Sequence, residues 1–97
     1  MYARVTTVQV RPDMQDEASR ITRDAVIPAL KDRPGFGGFF LLTDRSTSQG
    51  LAISLWESEA DLHATEASGH YREQLGKLAT AMAGPPTMAI YEVEAQG

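Results

Sequence analysis

Alternating and periodic apolar positions divide the first third of the chain into a strand and a helix. Residues 2–10 are rich in Val and Thr, which predicts a β-strand. From Asp13 to about Asp32, apolar residues recur every three to four positions, the spacing of one helix face. Asp13 is the expected N-cap of this helix. Pro28 is expected to kink its last turn, because proline removes a hydrogen-bond donor and crowds the preceding turn.

The centre of the chain predicts a β-hairpin. The segment "RPGFGG" ends the first helix with a turn, and the apolar runs "FFLLT" and "LAISLW" predict two strands. The polar segment "DRSTSQG" joins them, and its Gly50 suits the end of a hairpin. Successive side chains of a strand point to opposite faces, so Phe39 and Leu41 are expected on one face and Phe40 and Leu42 on the other.

The last third predicts two helices and a strand. Ser58, three residues before Asp61, forms a variant capping box that opens a short helix. Ser68 is a second expected N-cap, opening a longer helix from about Gly69 to Met82 with a single apolar stripe. The segment "GPP" ends that helix, and "TMAIYEVE" predicts the final strand.

The resulting order, β-α-β-β-α-β, predicts an α+β, ferredoxin-like fold for a single domain that spans residues 1–97. Such a fold has a four-stranded antiparallel sheet with both helices on one face. Both faces of the predicted sheet carry apolar residues, and the helices can cover one of them. We therefore expect a homodimer in which the second sheet covers the other face.

Composition and charge narrow the possible partners. The formal net charge is −4 and the nine basic residues are scattered, which argues against a nucleic-acid partner. The chain has no cysteine, which excludes disulfides, thiolate nucleophiles and cysteine-based metal sites. No pair of histidines at ligand spacing joins a carboxylate, so no metal is expected. Neither a signal peptide nor a membrane span is predicted, and a cytoplasmic location is the default expectation.

Four short segments together resemble the antibiotic biosynthesis monooxygenase family of dimeric α/β barrels. They are "RPGFGG", the junction "LWESEADL", "ASGHY" at the start of a helix, and "GPP" before the last strand. The resemblance covers nearly the whole chain in element order. It implies the ferredoxin-like fold and a dimer. The family includes cofactor-independent quinol-type monooxygenases, haem-degrading enzymes, isomerases and proteins without an established activity, and fold alone does not choose among them.

The resemblance carries over to a few positions. Trp56 matches an aromatic position that closes the third strand in many members, and His70 and Tyr71 match a small-x-His-aromatic signature. In this comparison His70 is the candidate catalytic base, while Trp56 and Tyr71 are candidate substrate-binding walls. Arg72 and Tyr91 are further candidate binding residues. Each has a structural alternative: Trp56 and Tyr71 as core residues, and His70 as a solvated side chain at a helix start.

Other positions depart from the family patterns. Quinol-type members carry a histidine where this chain has Thr65, and His63 lies two residues away, about 200° around a helix. We expect His63 to be solvated. Haem-degrading members carry tryptophan at the Thr65 position and histidine at the Leu75 position, so haem degradation is not implied. The polyketide-quinone-forming members pair their tryptophan with an asparagine and a tyrosine, which are also missing here.

Two classes of function remain open from the sequence. The first is a monooxygenase that uses no cofactor and acts on a quinol or a polyketide-type aromatic. His70 would remove the phenolic proton, and an apolar cavity would exclude water. The second is a dimeric module that binds a small ligand, or is purely structural, without a catalytic base. An inward-facing His70 would favour the first class, and an exposed His70 would favour the second.

Overall fold

A computed structural model describes all 97 residues, and it confirms the predicted ferredoxin-like arrangement. The sheet is four-stranded and antiparallel throughout, in the order β2-β3-β1-β4. The helices pack on one face of it. The strands are β1 (Tyr2–Gln9), β2 (Phe36–Asp44), β3 (Gln49–Trp56) and β4 (Thr87–Glu92), and the helices are α1 (Gln15–Ile21), α2 (Ile27–Leu30), α3 (Glu59–Glu66) and α4 (Gly69–Ala79).

The first helical segment is irregular. The sequence predicted both its N-cap residue and the position of its distortion incorrectly. A 3₁₀ turn over Pro12–Met14 precedes α1, and Arg11 occupies the N-cap position without a side-chain bond, so Asp13 is not the cap. A π-helical turn over Thr22–Val26 separates α1 from α2. In a regular α-helix the ring of Pro28 would meet the carbonyl of residue 24, which lies within this widened turn. The distortion therefore precedes Pro28 instead of following it.

The hairpin of β2 and β3 is longer than its apolar runs predicted. A bulge between Phe36 and Gly38 leaves Gly37 without a partner in β3. Gly50 lies inside β3, opposite Val8, where a Cβ atom would come within 3.1 Å of Val8 Cγ2. The loop residue with a left-handed backbone is instead Ser48, with φ of 61°. Gly50 thus serves close strand packing and not the turn.

The two faces of the sheet follow the parity that the sequence predicted. Phe39 and Leu41 share the face of Ser54 and Ala52, which the helices cover. Phe40 and Leu42 pair with Ile53 and Leu51 on the opposite face, where no element of the chain covers them; this face is called the open face below. Its large apolar side chains are exposed, at 56% for Phe40, 48% for Leu42 and 58% for Tyr91.

The core lies between the covered face of the sheet and the helices. Trp56, Leu30 and Leu62 are among its largest fully buried side chains. The chain leaves α4 earlier than predicted, at Ala79, because Met82 pairs with Val10 beyond the end of β1. The other buried residues that pack together in this core are Val8, Val10, Ala18, Ile21, Val26, Tyr71, Leu78 and Ala81.

The start of α3 confirms the predicted cap. The Ser58 hydroxyl accepts a hydrogen bond from the Asp61 backbone N–H at 3.1 Å and donates one to Asp61 Oδ2 at 2.9 Å. Gly35, with φ of 76°, lies directly against this carboxylate. Ser68 is the N-cap residue of α4, as predicted, but its side chain makes no capping bond.

Gly35→Ala is expected to destabilise the protein by at least about 1 kcal/mol, because its Cβ would overlap the Asp61 carboxylate and its positive φ disfavours L side chains. Gly76→Ala is the matched control. Gly76 lies in α4 with no atom near its added Cβ, so this change should stabilise by about 0.4–1 kcal/mol. Urea unfolding of the two variants should therefore shift in opposite directions, and equal shifts would contradict the role given to Gly35.

Candidate functional site

A cavity of about 470 Å³ lies between the covered face of the sheet and α4. This volume is within the roughly 300–1,000 Å³ that small-molecule sites typically occupy. A second cavity, beside α1, holds about 20 Å³, roughly enough for one water molecule. The larger cavity is lined mostly by apolar residues, among them Val8, Val26, Phe39, Ala52, Leu75, Leu78, Met82, Pro85, Pro86 and Met88, with Arg4, Thr6, Ser54 and Tyr71 as polar contributors.

Arg4 and Tyr71 meet in the wall of this cavity. β1 places Arg4 on the covered face, opposite Ser54, and α4 carries Tyr71 over it. Arg4 Nη1 donates to the Tyr71 hydroxyl at 3.4 Å, and the guanidinium carbon lies 5.7 Å from the centre of the Tyr71 ring. The Arg4 side chain is 13% exposed, so the positive charge lies in largely apolar surroundings. With Thr6 and Ser54, these two side chains supply the polar groups of a mostly apolar site.

Glu66, at the end of α3, partly balances the charge of Arg4. Glu66 Oε1 lies 3.5 Å from Arg4 Nε and is buried without a hydrogen-bond partner. Its other oxygen lies 3.5 Å from Nδ1 of His63, whose side chain is 54% exposed, as expected for a solvated residue. The Glu66 carboxylate therefore lies between the cavity arginine and a surface histidine.

Tyr71 is suited to donate a hydrogen bond at neutral pH. Burial raises the pKa of its phenol, while the nearby Arg4 charge acts in the opposite direction and is the smaller effect. The side chain is 5% exposed. Because its pKa lies above the ordinary value for tyrosine, the phenol keeps its proton well beyond neutral pH.

Trp56 belongs to the core and not to the lining of the cavity. It is 1% exposed and packs edge-on against Phe36, with ring centres 5.5 Å apart. Its Nε1–H donates to the Ser54 hydroxyl at 2.9 Å, and Ser54 lines the cavity. Trp56 therefore contacts the cavity only indirectly, through its hydrogen bond to Ser54, which lines the cavity.

The other predicted site residues lie outside the cavity. His70 and Arg72 flank Tyr71 on α4 and are exposed, because each step of about 100° along a helix turns a neighbour away from the buried face. Tyr91 pairs with Ala3 on the open face of the sheet. Of the five predicted site residues, Tyr71 alone therefore lines the cavity of its own chain.

Arg4, Ser54 and Glu66 are cavity-associated residues that sequence reasoning missed. The signal for Arg4 was present in strand parity. In β1 it lies two residues before Thr6 and four before Val8, so all three share one face. An arginine on the covered face of a strand is unusual enough to single out, because arginine is rarely buried without a partner. Glu66 had no comparable signal, because its pairing with Arg4 spans the fold.

No group of three or more histidine, aspartate or glutamate side chains is arranged to hold a metal ion. No helix has both the length and the apolar character needed to cross a bilayer.

Similar proteins of known structure share this fold. A candidate antibiotic biosynthesis monooxygenase from Nitrosomonas europaea superposes with a TM-score of 0.82, at 21% identity over 98% of this chain and 100% of the other. Rv0793 from Mycobacterium tuberculosis superposes with a TM-score of 0.78, at 14% identity over 98% of this chain and 96% of the other. At these identities the likeness establishes the fold and not the reaction.

Sequence comparison identifies the family to which the chain belongs. The uncharacterized protein Rv2557 of M. tuberculosis is 33% identical over 98% of this chain, and the aligned region is 42% of the length of that relative. The chain thus spans less than half of the curated relative it matches. The sequence model for the family described as "Antibiotic biosynthesis monooxygenase" matches residues 1–75, more than three quarters of the chain. The chain therefore belongs to the antibiotic biosynthesis monooxygenase family.

Proposed function

We propose that the chain is a cofactor-independent monooxygenase that oxidises a planar phenolic substrate in the cavity between the sheet and α4. The observation that carries this proposal is the pairing of Arg4 with Tyr71 in the wall of an apolar cavity of about 470 Å³. Family membership supports it, although family members differ in their reactions. The cavity supplies an apolar space large enough for an aromatic ring, and two donors for its oxygen.

The proposed reaction requires few functional groups from the protein. A 1,4-dihydroxynaphthalene would react with O₂ to give 2-hydroxy-1,4-naphthoquinone and water. One oxygen atom enters the ring, the other leaves as water, and the substrate supplies all four electrons. The reactive form is the phenolate, which the positive charge of Arg4 stabilises and thereby makes easier to form. The proton passes to water at the cavity mouth, and the apolar lining keeps bulk water from the reacting ring.

One observation favours a second candidate, a ligand-binding module without catalysis. Neither histidine lines the cavity, and His70 is exposed on α4. A site without a conventional base can bind an aromatic ligand and leave it unchanged. The two candidates share the same cavity and differ in whether oxygen is consumed.

Oxygen uptake by the metal-free protein separates the two candidates. With 1,4-dihydroxynaphthalene or anthrone, and spontaneous oxidation subtracted, we expect uptake that falls roughly 10-fold or more in Tyr71→Phe, because one donor to the developing charge is lost. His70→Ala should leave the rate within about twofold if the proton passes to water as proposed. Equal losses in both variants would identify His70 as the base. No uptake by folded protein that still binds these compounds would establish the second candidate.

We also propose that two copies associate through their open faces. Phe40 and Leu42 on β2 and Tyr91 on β4 are exposed at the two opposite edges of this face, and nothing else in the chain covers them. Exposed apolar patches of this kind commonly mark protein interfaces. A second copy presents the same surface, which suits a two-fold symmetric contact.

A further inference from the structure

We propose that the cavity selects planar ligands that carry a delocalised negative charge at neutral pH, an enolate or an aromatic carboxylate, and that Arg4 recognises this charge. The inference rests on the cavity described under the proposed function and specifies which ligands it takes. It is independent of whether the ligand is then oxidised. Its basis is the incomplete hydrogen bonding of Arg4, the donor capacity of Tyr71 and the position of Glu66.

The guanidinium of Arg4 has unused donors. Of its five N–H groups, one donates from Nε to the Met88 sulfur at 2.7 Å and one from Nη1 to the Tyr71 hydroxyl at 3.4 Å. No protein atom accepts a hydrogen bond from Nη2. The Nη edge, which consists of Nη2 and the second N–H of Nη1, therefore has donors available for a two-oxygen anion bound side by side, the geometry that guanidinium and carboxylate groups favour.

Tyr71 adds a donor beside that edge. Its hydroxyl oxygen already accepts from Arg4, and no acceptor within the chain takes its proton. A phenol in this state donates to a ligand oxygen placed next to Arg4. Both groups then act on the same ligand atom, and both favour an anion over a neutral carbonyl or ether.

Glu66 sets how strongly the site attracts an anion. Its Oε1 lies on the Nε side of Arg4, at 3.5 Å, and leaves the Nη edge uncovered. The carboxylate nevertheless opposes a second negative charge nearby, and the apolar surroundings strengthen that opposition. The chain as a whole also carries a net charge of −4, which does not attract anions from a distance. Selection must therefore come from the local contact with Arg4.

The test uses two matched pairs of probes. 2-Hydroxy-1,4-naphthoquinone is a vinylogous carboxylic acid and an anion at neutral pH, and its methyl ether is neutral with nearly the same shape. 2-Naphthoate and its methyl ester form the second pair. Titration calorimetry at neutral pH should give tighter binding for the anion in at least one pair, by roughly 10-fold, the size expected from a hydrogen bond to a charged group. The pair with the larger difference distinguishes an enolate from a carboxylate ligand.

Three single variants and one double variant separate recognition of charge from structural support. Arg4→Gln should weaken binding of the anion roughly 10-fold or more and leave the neutral probe within about twofold. Glu66→Gln should strengthen binding of the anion and again leave the neutral probe unchanged. Arg23→Gln, which removes an equal charge from an exposed arginine on the helical side, is the matched control and should change neither. The double variant Arg4→Gln/Glu66→Gln removes both charges, so no unpaired buried carboxylate remains to affect folding.

Equal affinity for both members of each pair, or equal losses for anion and ether in Arg4→Gln, would overturn charge selection. In that case oxygen uptake with a neutral quinol would still stand, and the proposed function would survive. If the folded protein binds none of the four probes, the anion site fails, and oxygen uptake with 1,4-dihydroxynaphthalene then decides the proposed function on its own. Weaker binding of the anion in Glu66→Gln would contradict the role given to that carboxylate.

Discussion

Trp56→Ala is expected to lower the free energy of unfolding by about 3–5 kcal/mol. The indole is 1% exposed and packs on Phe36, so its removal leaves a cavity that neighbouring side chains fill incompletely. It also leaves the Ser54 hydroxyl without its indole donor. Because small domains are stable by roughly 5–15 kcal/mol in total, this loss should be visible as a large shift of the urea midpoint at fixed protein concentration.

Trp56→Phe is the matched control for that experiment. It keeps an aromatic ring against Phe36 but removes the N–H that donates to Ser54. We expect a smaller loss, about 1–2 kcal/mol, from the missing hydrogen bond and the reduced volume. If Trp56→Ala instead left stability nearly unchanged and abolished binding of the naphthoquinone probes, Trp56 would be a wall of the cavity and its place in the core would be wrong.

Phe40→Asp is expected to convert a dimer to a monomer. Phe40 lies on the open face with 56% of its side chain exposed in the single chain, and a carboxylate there would be buried against the apolar face of the second copy. Burying an unpaired charge costs several kcal/mol, which is enough to dissociate a small interface. Sedimentation velocity at micromolar concentration should show the wild-type chain at twice the mass of one chain and the variant at the mass of one.

Ala60→Asp provides the control for the added charge. Ala60 is exposed on α3, on the helical side of the molecule and away from the open face, so this variant should sediment like the wild type. A wild-type chain that sediments as a monomer would contradict the proposed homodimer. So would a Phe40→Asp variant that remains a dimer, since it would place the interface elsewhere.

Local patterns were sufficient for the architecture. Residues 2–10 predicted β1 within one residue, and the Ser58 cap predicted the start of α3 correctly. Strand parity placed Phe39 and Phe40 on opposite faces, as observed. These features depend on backbone geometry over a few residues, which the side chains in the same stretch control directly.

Features that depend on a distant partner were predicted less well. Gly50 was assigned to the hairpin end, whereas its lack of a side chain serves contact with Val8 on β1. Helix α4 ends at Ala79 and not at Met82 as predicted, because Met82 pairs with Val10. In both places the sequence pattern was present, but a tertiary contact determined the structural role of the residue.

In the candidate site, too, features set by local sequence were predicted better than those set by tertiary contacts. The sequence drew attention to His70 through its position in a short motif, yet α4 turns that side chain to the surface. It passed over Arg4, which β1 points into the cavity toward a tyrosine 67 positions later in the chain.

By itself, then, the sequence determined the element order and the faces of the sheet, because these follow from short-range periodicity and capping. The resemblance of four short segments indicated the family. Only the tertiary structure decided which polar groups meet in the cavity, because the contact of Arg4 with Tyr71 and Glu66 exists only once β1, α3 and α4 are packed together.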